Sequence, residues 1–130
     1  MYELQMKRVY EEAAAEDGRR ILVDRLWPRG MKKERAALAE WAKEVTPSPE
    51  LRKLYHNGEM TFDLFGRAYL EELQKSPAAA AFAKKCRDWL EEGPVTLVYA
   101  NKNPVENHVL VLRKWLEEAM AQDAAPGKGE

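Results

Sequence analysis

Two short runs, RILVD (20–24) and PVTLVYA (94–100), constrain the fold of this chain more than any other feature. Both are apolar at consecutive positions, whereas a strand with one wet face alternates apolar and polar residues. A continuous apolar strand must be covered on both sides, as in parallel sheets packed between helices. Each run passes into a loop and then into helical sequence, so a right-handed crossover would join them as parallel neighbours. The expected fold is α/β: a small, mostly parallel sheet of about three to four strands in a three-layer arrangement, with helices on both faces. The runs at 20–25 and 94–100 are predicted to lie side by side.

Between and around them the pattern is mostly helical. LQMKRVY (4–10) is a shorter strand expectation. The connection EEAAAEDGRR carries Asp17-Gly18 as a turn signal, and a hairpin across it is one option for the flanking runs. MKKERAALAEWAKEV (31–45) places Leu38, Trp41 and Val45 at helical spacing. Ser48-Pro49 and Ser76-Pro77 each set a capping hydroxyl before an N1 proline, and Thr61 can cap the helix between them. Apolar faces follow: Leu51, Leu54 and Tyr55; then Phe62, Phe65, Tyr69, Leu70 and Leu73; then Phe82, Cys86, Trp89 and Leu90. Trp89 is expected to be fully buried against the sheet. Gly93-Pro94 stops that helix. The last helix is predicted to begin at Asn103, with Pro104 at N1, Glu106 at N3 and a buried stripe of Val105, Val109, Leu112, Leu116 and Met120. AQDAAPGKGE (121–130) has no periodicity and reads as a flexible tail after a single domain at 1–120.

Composition narrows the class. The 130 residues are enough for one domain with its own core. A net charge of −1, from 21 basic and 22 acidic residues, argues against a dedicated nucleic-acid module. The basic spots Lys7-Arg8 and Lys32-Lys33 are short and closely followed by acidic residues. Cys86 is the single cysteine, so no intrachain disulfide is available. With only His56 and His108 beside it, no metal site and no cofactor is indicated. No run approaches the ~20 apolar residues of a membrane span, and MYELQMKRVYEE does not read as a signal peptide. The cytoplasm is the expected location. Nothing in the pattern specifies an oligomeric state.

The chemistry concentrates where the two apolar runs end. In LVDRLWPRG (22–30), Asp24 is followed by Arg25 and Arg29 around a Trp-Pro pair. After the other run come Asn101, Lys102, Asn107 and His108. If the strands are adjacent and parallel, both loops open on one crevice, the usual ligand site of open α/β sheets. Guanidiniums, amides and a helix N-terminus are what a phosphate, sulfate or carboxylate needs. Arg25, Arg29, Asn101, Lys102 and Asn107 are therefore expected ligand-binding residues, with Trp27 as an apolar wall. His108 is the expected general acid or base, and Asp24 would orient an arginine or activate water.

Plainer roles compete. Asp24 and Arg25 could pair with other charges to order the strand end. Arg29 could be a solvated turn residue, and Trp27 could be core. His56 fits a structural helix cap, Tyr69 a core position and Cys86 a small buried hydrophobe.

VDRLWPRG (23–30), TPSPELRKLYH (46–56), FGRAYLEEL (65–73) and LVYANKNPVENH (97–108) together closely resemble the YeaO-like proteins, a bacterial family within a larger domain-of-unknown-function group. The resemblance runs in order from Lys7 to about Leu116. It implies a compact cytoplasmic α/β domain and brings no catalytic residue with it. Longer members of the wider group resemble a pattern with Cys-His-Arg before the last helix. Here Asn107-His108-Val109 keeps only the histidine, so cysteine chemistry is not implied. The leading expectation is a protein that binds a small anionic molecule, with an enzyme as one version of it. A non-catalytic regulatory or interaction module is the second reading and nucleic-acid binding the third. No GxSxG elbow, P-loop or HExxH is present.

Overall fold

The computed structural model describes residues 1–124. Four strands form one sheet: β1 (Leu4–Arg8), β2 (Arg19–Leu22), β3 (Glu40–Trp41) and β4 (Val95–Tyr99), in the order β1-β4-β2-β3. Every pairing is parallel, and β2 lies beside β4 with Ile21 opposite Leu97. β4 sits between β1 and β2, so the connection after β1 is a crossing and not a hairpin. Asp17-Gly18 is the tight point of that crossing. Gly18 has φ +61°, and a Cβ there would stand 2.0 Å from the Pro94 carbonyl oxygen, so only glycine fits.

The helices are α1 (Lys33–Ala36), α2 (Pro49–His56), α3 (Phe62–Lys75), α4 (Pro77–Glu92) and α5 (His108–Ala124). Ser48, Thr61 and Ser76 accept the backbone N–H of Leu51, Leu64 and Ala79, each three residues on, as their capping patterns predict.

Strand alternation divides the core into two unequal layers. Ile21 and Val23 join Val95, Leu97 and Tyr99 under α2–α5, in the large cluster with Phe65, Tyr69, Phe82, Cys86 and Leu112. Leu22 and Val98 point the other way, to a thin layer of Val9, Met31 and Ala36 capped by Trp27 and Trp41. Among the described residues α1 is the helix of that layer, and the rest of it comes from the segments after β1 and β2 and from the chain leading into β3.

Four expectations are corrected. The stretch 31–45 is not one helix. Ala37 turns left-handed at φ 50°, Ala39 and Ala42 donate to Arg20 and Leu22, and Glu40–Trp41 becomes the edge strand. The open edge of β2 offers hydrogen bonds that outweigh the helical propensity of AALAEWA. The last helix starts at His108, not Asn103. Asn103 instead folds its side chain onto the N–H groups of Val105 and Glu106, at 2.8 and 2.9 Å, and Val105 is left 70% exposed. Trp89 is half-buried, with Arg19 and Lys85 each 5.6 Å from its ring centre. Finally, α5 continues to Ala124, into the segment expected to be a tail, while 125–130 lie outside the described residues. No helix among the described residues is long and apolar enough to cross a membrane.

Candidate functional site

Because all strands run the same way, β2 and β4 end on one edge, and a cavity of about 530 Å³ opens there. The loop after β2 supplies Asp24, Arg25, Trp27 and Arg29, and the loop after β4 supplies Asn101 and Glu106. α2 adds Arg52, Tyr55 and His56, α3 adds Phe62 and Phe65, and His108 stands at the start of α5.

The floor is a polar seam between the two loops. The Ala100 N–H donates to Asp24 Oδ2 at 2.8 Å, and the Asp24 carbonyl accepts the Trp41 indole N–H at 2.7 Å. His108 Nε2 lies 2.7 Å from the Val23 carbonyl oxygen and 3.6 Å from Asp24 Oδ1. A carbonyl can only accept, so Nε2 carries the proton and Nδ1 is the basic nitrogen of the neutral ring. Burial pushes His108 below its ordinary 6.5, and Arg52 adds to that, while the Val23 carbonyl and Asp24 oppose it. A helix N-terminus disfavours a cation as well. Burial likewise pushes the Asp24 carboxyl above 3.8, against the lowering influence of His108, the Ala100 N–H and Arg52. The two groups are thus held at short range with their charged forms disfavoured.

The walls are different. Arg25, Arg29 and Arg52 form no ion pair within 4 Å among the described residues. Arg25 Nε is buried with no hydrogen-bond partner. The loop that carries Arg29 is fixed by the Tyr10 hydroxyl donating to the Arg29 carbonyl at 2.8 Å and the Trp27 indole donating to the Met31 carbonyl at 2.7 Å. Two carboxylates face the three guanidiniums: Asp24, and Glu106, which accepts the Tyr55 hydroxyl at 2.7 Å.

Of the residues expected from sequence, Asp24, Arg25, Trp27, Arg29, Asn101 and His108 line this one cavity. Lys102 does not line it. Asn107 is buried and engaged at both ends: its carbonyl accepts Val109 N–H at 3.0 Å, capping α5, and its amide donates to the Asn103 carbonyl at 3.2 Å. It is the cap that Asn103 was expected to be. His56 lines the rim, Tyr69 is buried with its hydroxyl bonded to Val45, and Cys86 is buried, its thiol pushed up to about 12 by burial. Arg52, Tyr55 and Glu106 were missed. Arg52 sits on α2, and only the topology carries that helix to the crevice. Among the described residues no three His, Cys, Asp or Glu side chains are grouped so that they could hold a metal ion.

Fold and cavity together define a small all-parallel α/β domain with an arginine-lined cleft at the carboxyl edge of its sheet. The chain belongs to the family described as the inactive DUF488-N3 subclade, whose match covers residues 3–129. It is 49% identical to the uncharacterized protein YeaO of Escherichia coli K12 over 113 residues, 87% of this chain and 96% of that one. It is 39% identical over 113 residues to uncharacterized proteins of Mycobacterium tuberculosis and Mycobacterium bovis, covering 87% of this chain and 92% of each. No solved structure matches significantly.

Proposed function

We propose that this protein binds a small anionic molecule, phosphate- or carboxylate-bearing, in the cleft at the carboxyl edge of the sheet, and that it does so without catalysing a reaction. The observation that carries the reading is the set of unpaired arginines. Arg25, Arg29 and Arg52 line one cavity, and no carboxylate lies within ion-pairing distance of them among the described residues. A guanidinium reaches its full interaction strength only against an anion, and a forked donor suits a planar carboxylate or a phosphate. The amide of Asn101 is already spent on the Glu106 carbonyl, at 3.1 Å, so the arginines dominate.

The binding reading is favoured over the catalytic one on two counts. Among the described residues no serine or cysteine lines the cavity, the Thr46 hydroxyl there already donates to the Lys43 carbonyl, and the family is described as inactive. Binding is tested by calorimetric titration with inorganic phosphate and with acetate. Saturable one-to-one binding by at least one of them, lost in Arg52→Ala with the fold intact, is the expected result. Equal binding by the variant would reject the site.

A second reading keeps Asp24 and His108 as a proton-transfer pair, as their oppositely shifted pKa values and 3.6 Å separation allow. It would require His108→Asn to abolish turnover of a bound anion while leaving its affinity unchanged.

A further inference from the structure

We propose that the ligand is not a bare oxyanion but a planar ring carrying an anionic group, with the ring held by an aromatic wall and the anion by the arginines. The proposal rests on the anion reading and specifies the class of molecule.

The lining of the cleft is unusual for this chain. Of its 12 Trp, Tyr and Phe residues, five line this one cavity: Tyr10, Trp27, Tyr55, Phe62 and Phe65. Phe65 belongs to the core, but Trp27, Tyr55 and Phe62 are only half-buried and keep ring surface for the cavity. Tyr55, Phe62 and Phe65 form one continuous patch, with centroids 4.8 Å (Tyr55–Phe65), 5.8 Å (Phe62–Phe65) and 5.9 Å (Tyr55–Phe62) apart. Such spacing is that of interacting rings, which accept a further ring edge-on or offset-stacked.

Arg52 stands three residues before Tyr55, one helical turn back on the same face of α2. A guanidinium and an aromatic wall therefore adjoin on one element. The volume of about 530 Å³ lies within the range of small-molecule pockets and is several times what a tetrahedral oxyanion fills. Phosphate alone would leave the aromatic half of the cleft wet. The hydroxyl and amide groups among the lining residues already donate within the protein, Tyr10 to the Arg29 carbonyl, Thr46 to the Lys43 carbonyl, Tyr55 to Glu106 and Asn101 to the Glu106 carbonyl, which leaves little for a sugar-like body.

The test compares probes that share a head and differ in the body. The full chain is titrated with methyl phosphate and phenyl phosphate, with acetate and benzoate, and with phenol. The expected result is that one ring-bearing anion binds about tenfold more tightly than its methyl counterpart, a gain in the range of an aromatic contact plus its buried area. The preferred pair identifies a phosphate or a carboxylate head, and a nucleoside monophosphate arm tells a nucleobase from a simple aryl ring. Phe62→Leu, which leaves the bond between Tyr55 and Glu106 in place, should remove most of that gain, so that the ring-bearing and methyl anions bind that variant with nearly equal affinity. Equal affinity for the ring-bearing and methyl anions would overturn the proposal and leave the anion site standing. Phenol binding as tightly as phenyl phosphate and benzoate would overturn the anion reading itself, as would no binding by any anion.

Discussion

Two polar clusters flank the same pair of strands, and they use their charges in opposite ways. Near the start of β2, Asp17 accepts from Arg20 at 2.8 Å and from Lys7 at 3.1 Å, and also takes the Ala14 N–H. Arg20, only 2% exposed, also donates to the Ala36 and Val9 carbonyls, so each of its three nitrogens has a partner. Burial would push the Asp17 carboxyl up, but the Ala14 N–H, Arg20 and Lys7 outweigh it and hold the group below 3.8. At the other end of the strand Asp24 is pushed up, His108 is pushed down, and Arg25, Arg29 and Arg52 have no ion-pair partner among the described residues. A cluster whose charges are all matched ties structure together. One whose donors are left over, inside a cavity, is organised around something that arrives.

Breaking the matched cluster should have the largest effect. Arg20→Ala removes the shortest of the side-chain bonds to the buried Asp17 carboxylate and strands the Ala36 carbonyl, and it should cost about 3–5 kcal/mol in urea unfolding. A loss below about 1 kcal/mol would mean that the cluster is not closed. At the open end the same kind of change should spare the fold. Arg52→Ala should alter stability by no more than about 0.5 kcal/mol yet weaken anion binding by about 1.5–3 kcal/mol, the range for a hydrogen bond to a charged group.

The pH response sharpens the contrast further. His108 binds its proton more weakly folded than unfolded, so its contribution is present above 6.5 and is lost as pH falls below that value towards its folded pKa. One proton sets an upper slope of about 1.4 kcal/mol per pH unit. His108→Asn, which retains a donor for the Val23 carbonyl, should flatten the dependence between pH 7.5 and 5.5. Asp17 acts lower: its stabilisation is present above 3.8 and is lost as pH falls through its depressed folded pKa. Asp24, with a raised folded pKa, loses stability as pH rises above 3.8. The smallest effect is Asp24→Asn, which keeps an acceptor for Ala100 N–H and removes a repelling carboxylate. It should tighten phosphate binding a few-fold in calorimetry, and a loss of affinity would mean that Asp24 does more than shape the floor.

The central strands were legible because double burial leaves an unbroken apolar run, which few other environments produce. Ser48, Thr61 and Ser76 were legible because a cap is a local bond, fixed by three residues of spacing. The segment 31–45 was not, since its fate depends on an edge strand that exists only after β2 is in place. Asn103-Pro104 imitates a helix start, and the true cap, Asn107, carries the same side chain four residues later. The cleft was half legible. The loop residues follow directly from strand ends, whereas Arg52 and Tyr55 reach it only through the packing of α2. Arg20 offered no signal at all, because a buried arginine in an apolar run looks like a strand boundary.

The arginine Nε–H signals in a phosphate titration, followed by NMR, test the central claim most directly. Arg25, Arg29 and Arg52 should move together and saturate, while Arg20, already bonded to Asp17 and Ala36, should stay in place. Signals that never saturate, or that shift equally across the exposed arginines, would contradict the account and make LVDRLWPRG a structural loop.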